Sequence, residues 1–263
     1  MRKNKAITAA GILILLFAQQ GCSSQESNQA PQPEESVSLP GSKAEKAGQV
    51  LQNDYSAYVG ETIEYSVKKI GIKAGEAVLK FEGPTDYQGK PYYVISFKVN
   101  APTIADEEKI YADTQTFYPA FVERDVRYLG NHEKISEAYD QAKGEVKITK
   151  VADGKTEEQV IKKEGAIDNI YCFIYRQRKN GKFKVGESFS TKLPTLDLVI
   201  NSVKLTTVSA GGKEYDAFYM QSVPAKYKLW FDTGELRIPL QINGAAGMGD
   251  VAMIMSKYSS KGK

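Results

Sequence analysis

Thr62-Ile63-Glu64-Tyr65-Ser66-Val67-Lys68 decides the fold. Apolar and polar residues alternate with period two, and the apolar ones are β-branched or aromatic. That pattern predicts a strand with one face buried and one in water. The same alternation recurs outward from it, in Glu76-Ala77-Val78-Leu79-Lys80-Phe81 and in Tyr92-Tyr93-Val94-Ile95-Ser96-Phe97-Lys98-Val99. Turn chemistry separates these runs at Gly71, Gly83-Pro84, Gly89-Lys90-Pro91 and Ala101-Pro102. Strands at such short spacing are expected to pair antiparallel.

The pattern continues along the chain. Ile110 to Leu129 reads as strands, with Pro119 at a strand start or edge, where its missing N–H costs no ladder bond. Gly144 to Val151 and Glu158 to Lys163 flank Ala152-Asp153-Gly154-Lys155, a strong hairpin signal. Strands return over 197–200, 203–208, 215–221, 227–231, 235–241 and 248–258, with Gly244-Ala245-Ala246-Gly247-Met248-Gly249 as a turn between the last two. That glycine run lacks the Lys and Ser/Thr of a phosphate loop. Gly-Glu pairs at Gly60, Gly75, Gly144, Gly186 and Gly234 are expected to mark hairpin boundaries, each with a solvent-facing carboxylate opening the next strand.

One segment changes period. Ile167, Ile170, Tyr171, Ile174 and Arg178 follow helical spacing, Asp168 stands at an N-cap or first-turn position, and Gly181 ends the run. The expected fold is therefore all-β: a mainly antiparallel, strongly curved sheet or partly open barrel with one short helix packed on it.

Ahead of the strands lies a segment of another kind. Arg2, Lys3 and Lys5 precede thirteen uncharged residues, Ala6 to Ala18, and Gly21-Cys22-Ser23-Ser24 follows. A basic head, a short apolar stretch and a small residue make an export signal. Thirteen residues fall short of the roughly 20 that span a bilayer as a helix. A cysteine after the small residue points to lipidation at Cys22, although Gln19 and Gln20 depart from the usual aliphatic-then-small pattern of lipoproteins. Ser23 is not the aspartate that commonly holds lipoproteins at the inner membrane, so a Gram-negative source would place this one in the outer membrane, facing the periplasm. The domain expectation is a signal at 1–21, a lipidated, disordered tether at 22–45 rich in Ser, Gln, Glu and Pro, and a β domain at 46–263. A short helical entry is expected within Ala44 to Tyr58.

The chain has 35 basic and 32 acidic residues. Three basic ones belong to the signal, which leaves 32 of each, so the pI of about 8.5 argues for neither nucleic acid nor a charged membrane surface. With Cys22 lipidated, Cys172 has no partner for a disulfide, and burial must supply the stability.

Catalytic chemistry finds little purchase. His132 is the lone histidine, which removes any multi-histidine metal site, and it is expected in a polar turn. Cys172 has Asp168 and Arg176 one helical turn away on either side, which predicts a polar helix edge where Arg176 would lower the thiol pKa and Asp168 oppose it. Only His132 would serve it as a base. No catalytic residue, metal site or cofactor is assigned. Sixteen tyrosines stand out against one tryptophan. They read either as core edge or as a sheet face that grips a glycan, peptide or acyl chain.

Four stretches carry a family resemblance: Gly60 to Ala77 with its Ile-Gly-Ile-Lys-Ala-Gly-Glu-Ala turn, Asp113 to Arg127 with Tyr118-Pro119 and Arg124, Asp168 to Phe189, and Leu229-Trp230-Phe231-Asp232 through Arg237-Ile238-Pro239 to Met255. In order and spacing, from Val59 to Tyr258, they resemble the bacterial exported family known as domain of unknown function 3108. The resemblance implies an exported all-β domain, strongly curved around the helix, and implies no activity. The expected function is a non-enzymatic binding or scaffolding domain of an envelope lipoprotein. It would be held to the membrane by its lipid, with a lipid, a glycan or an envelope protein as partner and no nucleic acid. The alternative is a carboxylate-dependent hydrolase of an envelope glycan, which needs two acids facing each other across a cleft about 5 to 9.5 Å wide.

Overall fold

The computed structural model describes residues 54–244 and 251–260. The export signal, the lipidation site Cys22, the tether and the glycine-rich turn after Gly244 lie outside the described residues. After a single 3-10 turn at Ser56–Tyr58 come eight strands: β1 (Thr62–Lys69), β2 (Ile72–Tyr87), β3 (Lys90–Ala101), β4 (Ile104–Asp113), β5 (Pro119–Tyr128), β6 (Asn131–Asp140), β7 (Glu145–Ala152) and β8 (Lys155–Lys162). Helix α1 (Ile170–Asn180) follows. Six more strands close the chain: β9 (Ser188–Leu193), β10 (Leu196–Ala210), β11 (Lys213–Val223), β12 (Lys228–Asp232), β13 (Pro239–Asn243) and β14 (Val251–Ser259).

All fourteen strands form one sheet in the order β8-β7-β6-β5-β4-β3-β2-β1-β14-β13-β12-β11-β10-β9, and every pairing is antiparallel. The chain starts in the middle at β1 and meanders out to the β8 edge. The helix carries it to the β9 edge, and a second meander returns to lay β14 against β1.

Alternation explains the faces. In β1 the inward set Ile63, Tyr65 and Val67 is buried, as are Leu79 and Phe81 of β2, Ile95 and Phe97 of β3, and Met253 and Met255 of β14. These meet Tyr171, Phe173, Ile174 and Tyr175 of α1 in the main core. Each such aliphatic or aromatic burial is worth about 1.5–3 kcal/mol.

The expectation of a strongly curved sheet or partly open barrel is corrected here. The sheet is antiparallel and carries one helix, but it is neither closed nor strongly curled: β8 and β9 are its two ends and do not pair. A closed or curled sheet buries the inner side of every strand, whereas β8, Lys-Thr-Glu-Glu-Gln-Val-Ile-Lys, has no buried residue. Period two specifies two faces and carries no information on curvature. Charged side chains along β8 also suit an edge left unpaired.

Smaller expectations fared unevenly. Pro119 is the first residue of β5, and Asp153-Gly154 turns β7 into β8 with φ of 50° and 71°. The helix ends at Gly181, yet its N-cap is Asn169, whose side chain accepts from the Tyr171 N–H. Gly75 lies inside β2 and marks no boundary. Glu61 is fully buried, the opposite of a solvent-facing acid. The polar stretch from Asn131 is strand β6 and no turn.

Candidate functional site

Helix α1 is anchored by charge as well as by apolar packing. Arg178 donates from both terminal nitrogens to Glu61, Nη1 to Oε2 at 2.7 Å and Nη2 to Oε1 at 2.6 Å, with neither side chain exposed. Its Nε donates to the Leu236 carbonyl at 2.9 Å, and the Tyr175 hydroxyl donates to Glu61 at 2.8 Å. The guanidinium also lies over the rings of Tyr58 and Tyr175, at 4.5 and 4.8 Å. Taking two charges out of water is repaid only when the geometry is good and further hydrogen bonds join the pair, and the Leu236 carbonyl and the Tyr175 hydroxyl supply such bonds. Two residues earlier Arg176 pairs with Asp168, whose carboxylate also accepts from Thr191 Oγ1 at 2.7 Å. Arg176 stacks on Tyr118 at 4.1 Å.

A second polar group occupies the inner face beyond the helix. Asp106 and Glu108 of β4, Arg124 of β5 and Glu137 of β6 all project from that face by register. Arg124 grips Asp106 with two bonds, at 2.8 and 2.5 Å. Glu108 has no such grip; Asn169 donates to it at 2.7 Å, and burial lifts its carboxyl to about 7. Burial also raises the carboxyl of Glu137, which accepts the Tyr139 hydroxyl. Near neutral pH, Glu108 is thus poised to gain or lose a proton.

The outer face carries a different feature. Tyr92 and Val94 of β3 and Tyr111 of β4 form a separate apolar cluster there, with Tyr87, Ala120 and Phe121 packed against it. Ring centroids lie 4.4 Å apart for Tyr87–Tyr111, 5.7 Å for Tyr87–Phe121 and 5.9 Å for Tyr92–Phe121. Exposed Glu123 accepts from the Tyr87 hydroxyl at 3.3 Å and from Tyr111 at 3.2 Å. Burial and that carboxylate push the Tyr111 phenol up to about 12. Lys109 sits over the Tyr111 ring at 5.4 Å. The outer face of a one-sided sheet is ordinarily polar; here Tyr92, Val94 and Tyr111 are themselves buried, and Tyr87 and Phe121 are the half-buried rings that cover them.

Residues 54–256, which run from the first described residue into β14, match the family model for "Protein of unknown function (DUF3108)". The chain belongs to the DUF3108 family. No curated protein matches it. Among solved structures, a beta-barrel-like protein of domain of unknown function DUF1849 from Brucella abortus is similar at 9% identity and a TM-score of 0.46, covering 76% of this chain and 97% of that one. A putative exported protein with YmcC-like fold from Bacteroides fragilis is similar at 8% identity and a TM-score of 0.27, covering 77% and 96%. Neither likeness bears on function.

Within the DUF3108 domain the residues singled out in the sequence stay apart. His132 is exposed on β6, 2.9 Å from Asp125 through Nε2. Cys172 is fully buried in the main core and not on a polar edge, and Asp168 and Arg176 on either side of it in sequence are bonded to each other. Burial, reinforced by the Asp168 carboxylate, pushes its thiol well above the ordinary value. His132 and Cys172 therefore form no nucleophile–base pair. Among the described residues, no group of three or more His, Cys, Asp or Glu is placed to hold a metal ion, and no helix is long and apolar enough to cross a membrane.

The tyrosines fall into two clusters. Tyr58, Tyr65, Tyr171 and Tyr175 are core, whereas Tyr87, Tyr92 and Tyr111 build the outer patch. Sequence reasoning missed Glu61, Glu108, Glu123 and Glu137. A signal existed for two of them: Glu61 is in phase with Ile63 and Tyr65, and Glu108 with Ile110 and Ala112. An acid in phase with a buried set must enter the interior and find a partner there.

Proposed function

We propose that this chain is a cell-envelope lipoprotein, held through Cys22 on the periplasmic side of the outer membrane, whose DUF3108 domain binds an envelope glycan without transforming it. The observation that carries the reading is the outer-face patch of Tyr87, Tyr92, Tyr111 and Phe121 around Glu123. The half-buried rings of Tyr87 and Phe121, backed by buried Tyr92 and Tyr111, offer apolar surface to the C–H faces of sugars, and exposed Glu123 accepts from sugar hydroxyls; a few placed polar groups among apolar walls is the ordinary makeup of a ligand site.

The test uses the full chain in mild detergent, sedimented with purified peptidoglycan sacculi. The wild type is expected in the pellet, with binding weakened at least about tenfold in Phe121→Ser and in Glu123→Gln, a loss of roughly 1.4 kcal/mol. Failure of the wild type to sediment rejects glycan binding. Soluble fragments released from the sacculi would instead favour the carboxylate-dependent hydrolase.

A further inference from the structure

The β1–β2 hairpin ends in Lys68-Lys69-Ile70-Gly71-Ile72-Lys73, and its two isoleucines are among the most exposed large apolar residues described, Ile70 at 80% and Ile72 at 74%. The turn is costly twice over. Ile70 has φ of 51°, a left-handed conformation that a β-branched side chain adopts only under strain. Asn, Asp or Gly would fill that position without penalty and without exposing hydrocarbon. The tip also projects freely: a Cβ built on Gly71 would meet nothing within 4 Å. At the same end of the sheet the β5–β6 tip repeats the device, with Leu129 65% exposed at φ 47° before Gly130.

Charge brackets the isoleucines. Lys68 and Lys69 make no ion pair among the described residues, whereas Lys73 is bonded to Glu76 at 2.7 Å. The chain without its signal is formally neutral, so this basic-apolar tip is a local concentration on a neutral body. A projecting point suits a surface that needs no pre-shaped pocket, and paired lysines suit lipid phosphates.

We propose that the β1–β2 hairpin is a membrane-contacting tip that places Ile70 and Ile72 at the acyl boundary of an anionic bilayer while Lys68 and Lys69 meet its phosphates. This surface lies outside the aromatic patch and does not depend on glycan binding.

The test places an environment-sensitive fluorophore on Ile72→Cys in the full chain, reconstituted into vesicles of phosphatidylethanolamine and phosphatidylglycerol. Cys172 is fully buried, and the unsubstituted chain labelled alongside supplies the background. The expected result is a blue-shifted emission, at least about twofold quenched by a lipid-borne quencher. Both effects should weaken in phosphatidylcholine vesicles and in Lys68→Glu/Lys69→Glu. An unquenched label in anionic vesicles overturns the proposal, as does quenching indifferent to the lysines. A shift that grows with protein concentration, or that appears only with added envelope proteins, overturns it in favour of a second copy or a protein partner. Attachment by a lipid at Cys22 or by an uncleaved apolar segment would serve equally, so a negative result condemns the tip and not the anchor.

Discussion

Arg178 and Glu61 face each other across 117 residues of chain with two hydrogen bonds and no exposure to water. Removing one partner strands the other as a buried charge. Arg178→Met is expected to lose about 3–5 kcal/mol of stability, read by chemical denaturation. Glu61→Gln/Arg178→Met should lose less than the sum of the two single variants, because it leaves no charge uncompensated. Additive losses would show that the pair is not coupled.

Glu108 sets a pH dependence with a definite sign. Burial penalises the charged form and lifts its folded carboxyl to about 7, above the ordinary carboxylate range. The native state then holds a proton that the unfolded state has released, so stability is full below the unfolded pKa and falls as pH rises through the folded one. On the order of 2 kcal/mol should be lost between about pH 5 and pH 8. Melting curves of Glu108→Gln across that range should be flatter than those of the wild type; parallel curves would refute the assignment.

Cys172 should behave as an inert thiol. Its side chain is fully buried and its pKa pushed well up, and reactivity follows the accessible thiolate. In Cys22→Ser, a thiol reagent is expected to leave the native protein unmodified and to react in denaturant with one group per chain. Rapid native labelling would contradict the packing around the helix.

Gly75 is a point of close approach and needs no special φ. A Cβ there would stand 2.5 Å from the Asn100 carbonyl oxygen and 2.7 Å from the Ala101 Cβ. Gly75→Ala must push β2 off β3 and is expected to cost about 1–3 kcal/mol by overpacking. Gly71→Ala, with nothing within 4 Å, meets backbone strain alone at φ 76°, and the denaturation midpoints of the two variants separate the effects.

What the sequence made legible follows from where the information is local. β1, β3, the Asp153-Gly154 hairpin and the helix all announce themselves within a few residues. β6 escaped because two of its four inward residues, Glu133 and Glu137 beside Ile135 and Tyr139, are carboxylates, which erases the alternation. β9 escaped because Ser188 to Leu193 is short and nearly as polar. The outer patch draws one or two residues from each of β2, β3, β4 and β5, and only the register Val94↔Tyr111 and Tyr111↔Phe121 brings them together. Sheet curvature left no local trace at all, and there the expectation failed.

The placement of β1 decides how this domain bears a load. Any pull on the residues ahead of Asp54 arrives at a strand with β2 bonded along one side and β14 along the other. A pull directed along β1 would shear two ladders together, where a pull across an edge strand would unzip one bond at a time. The proposed tether would thus load a strand that is bonded along both sides.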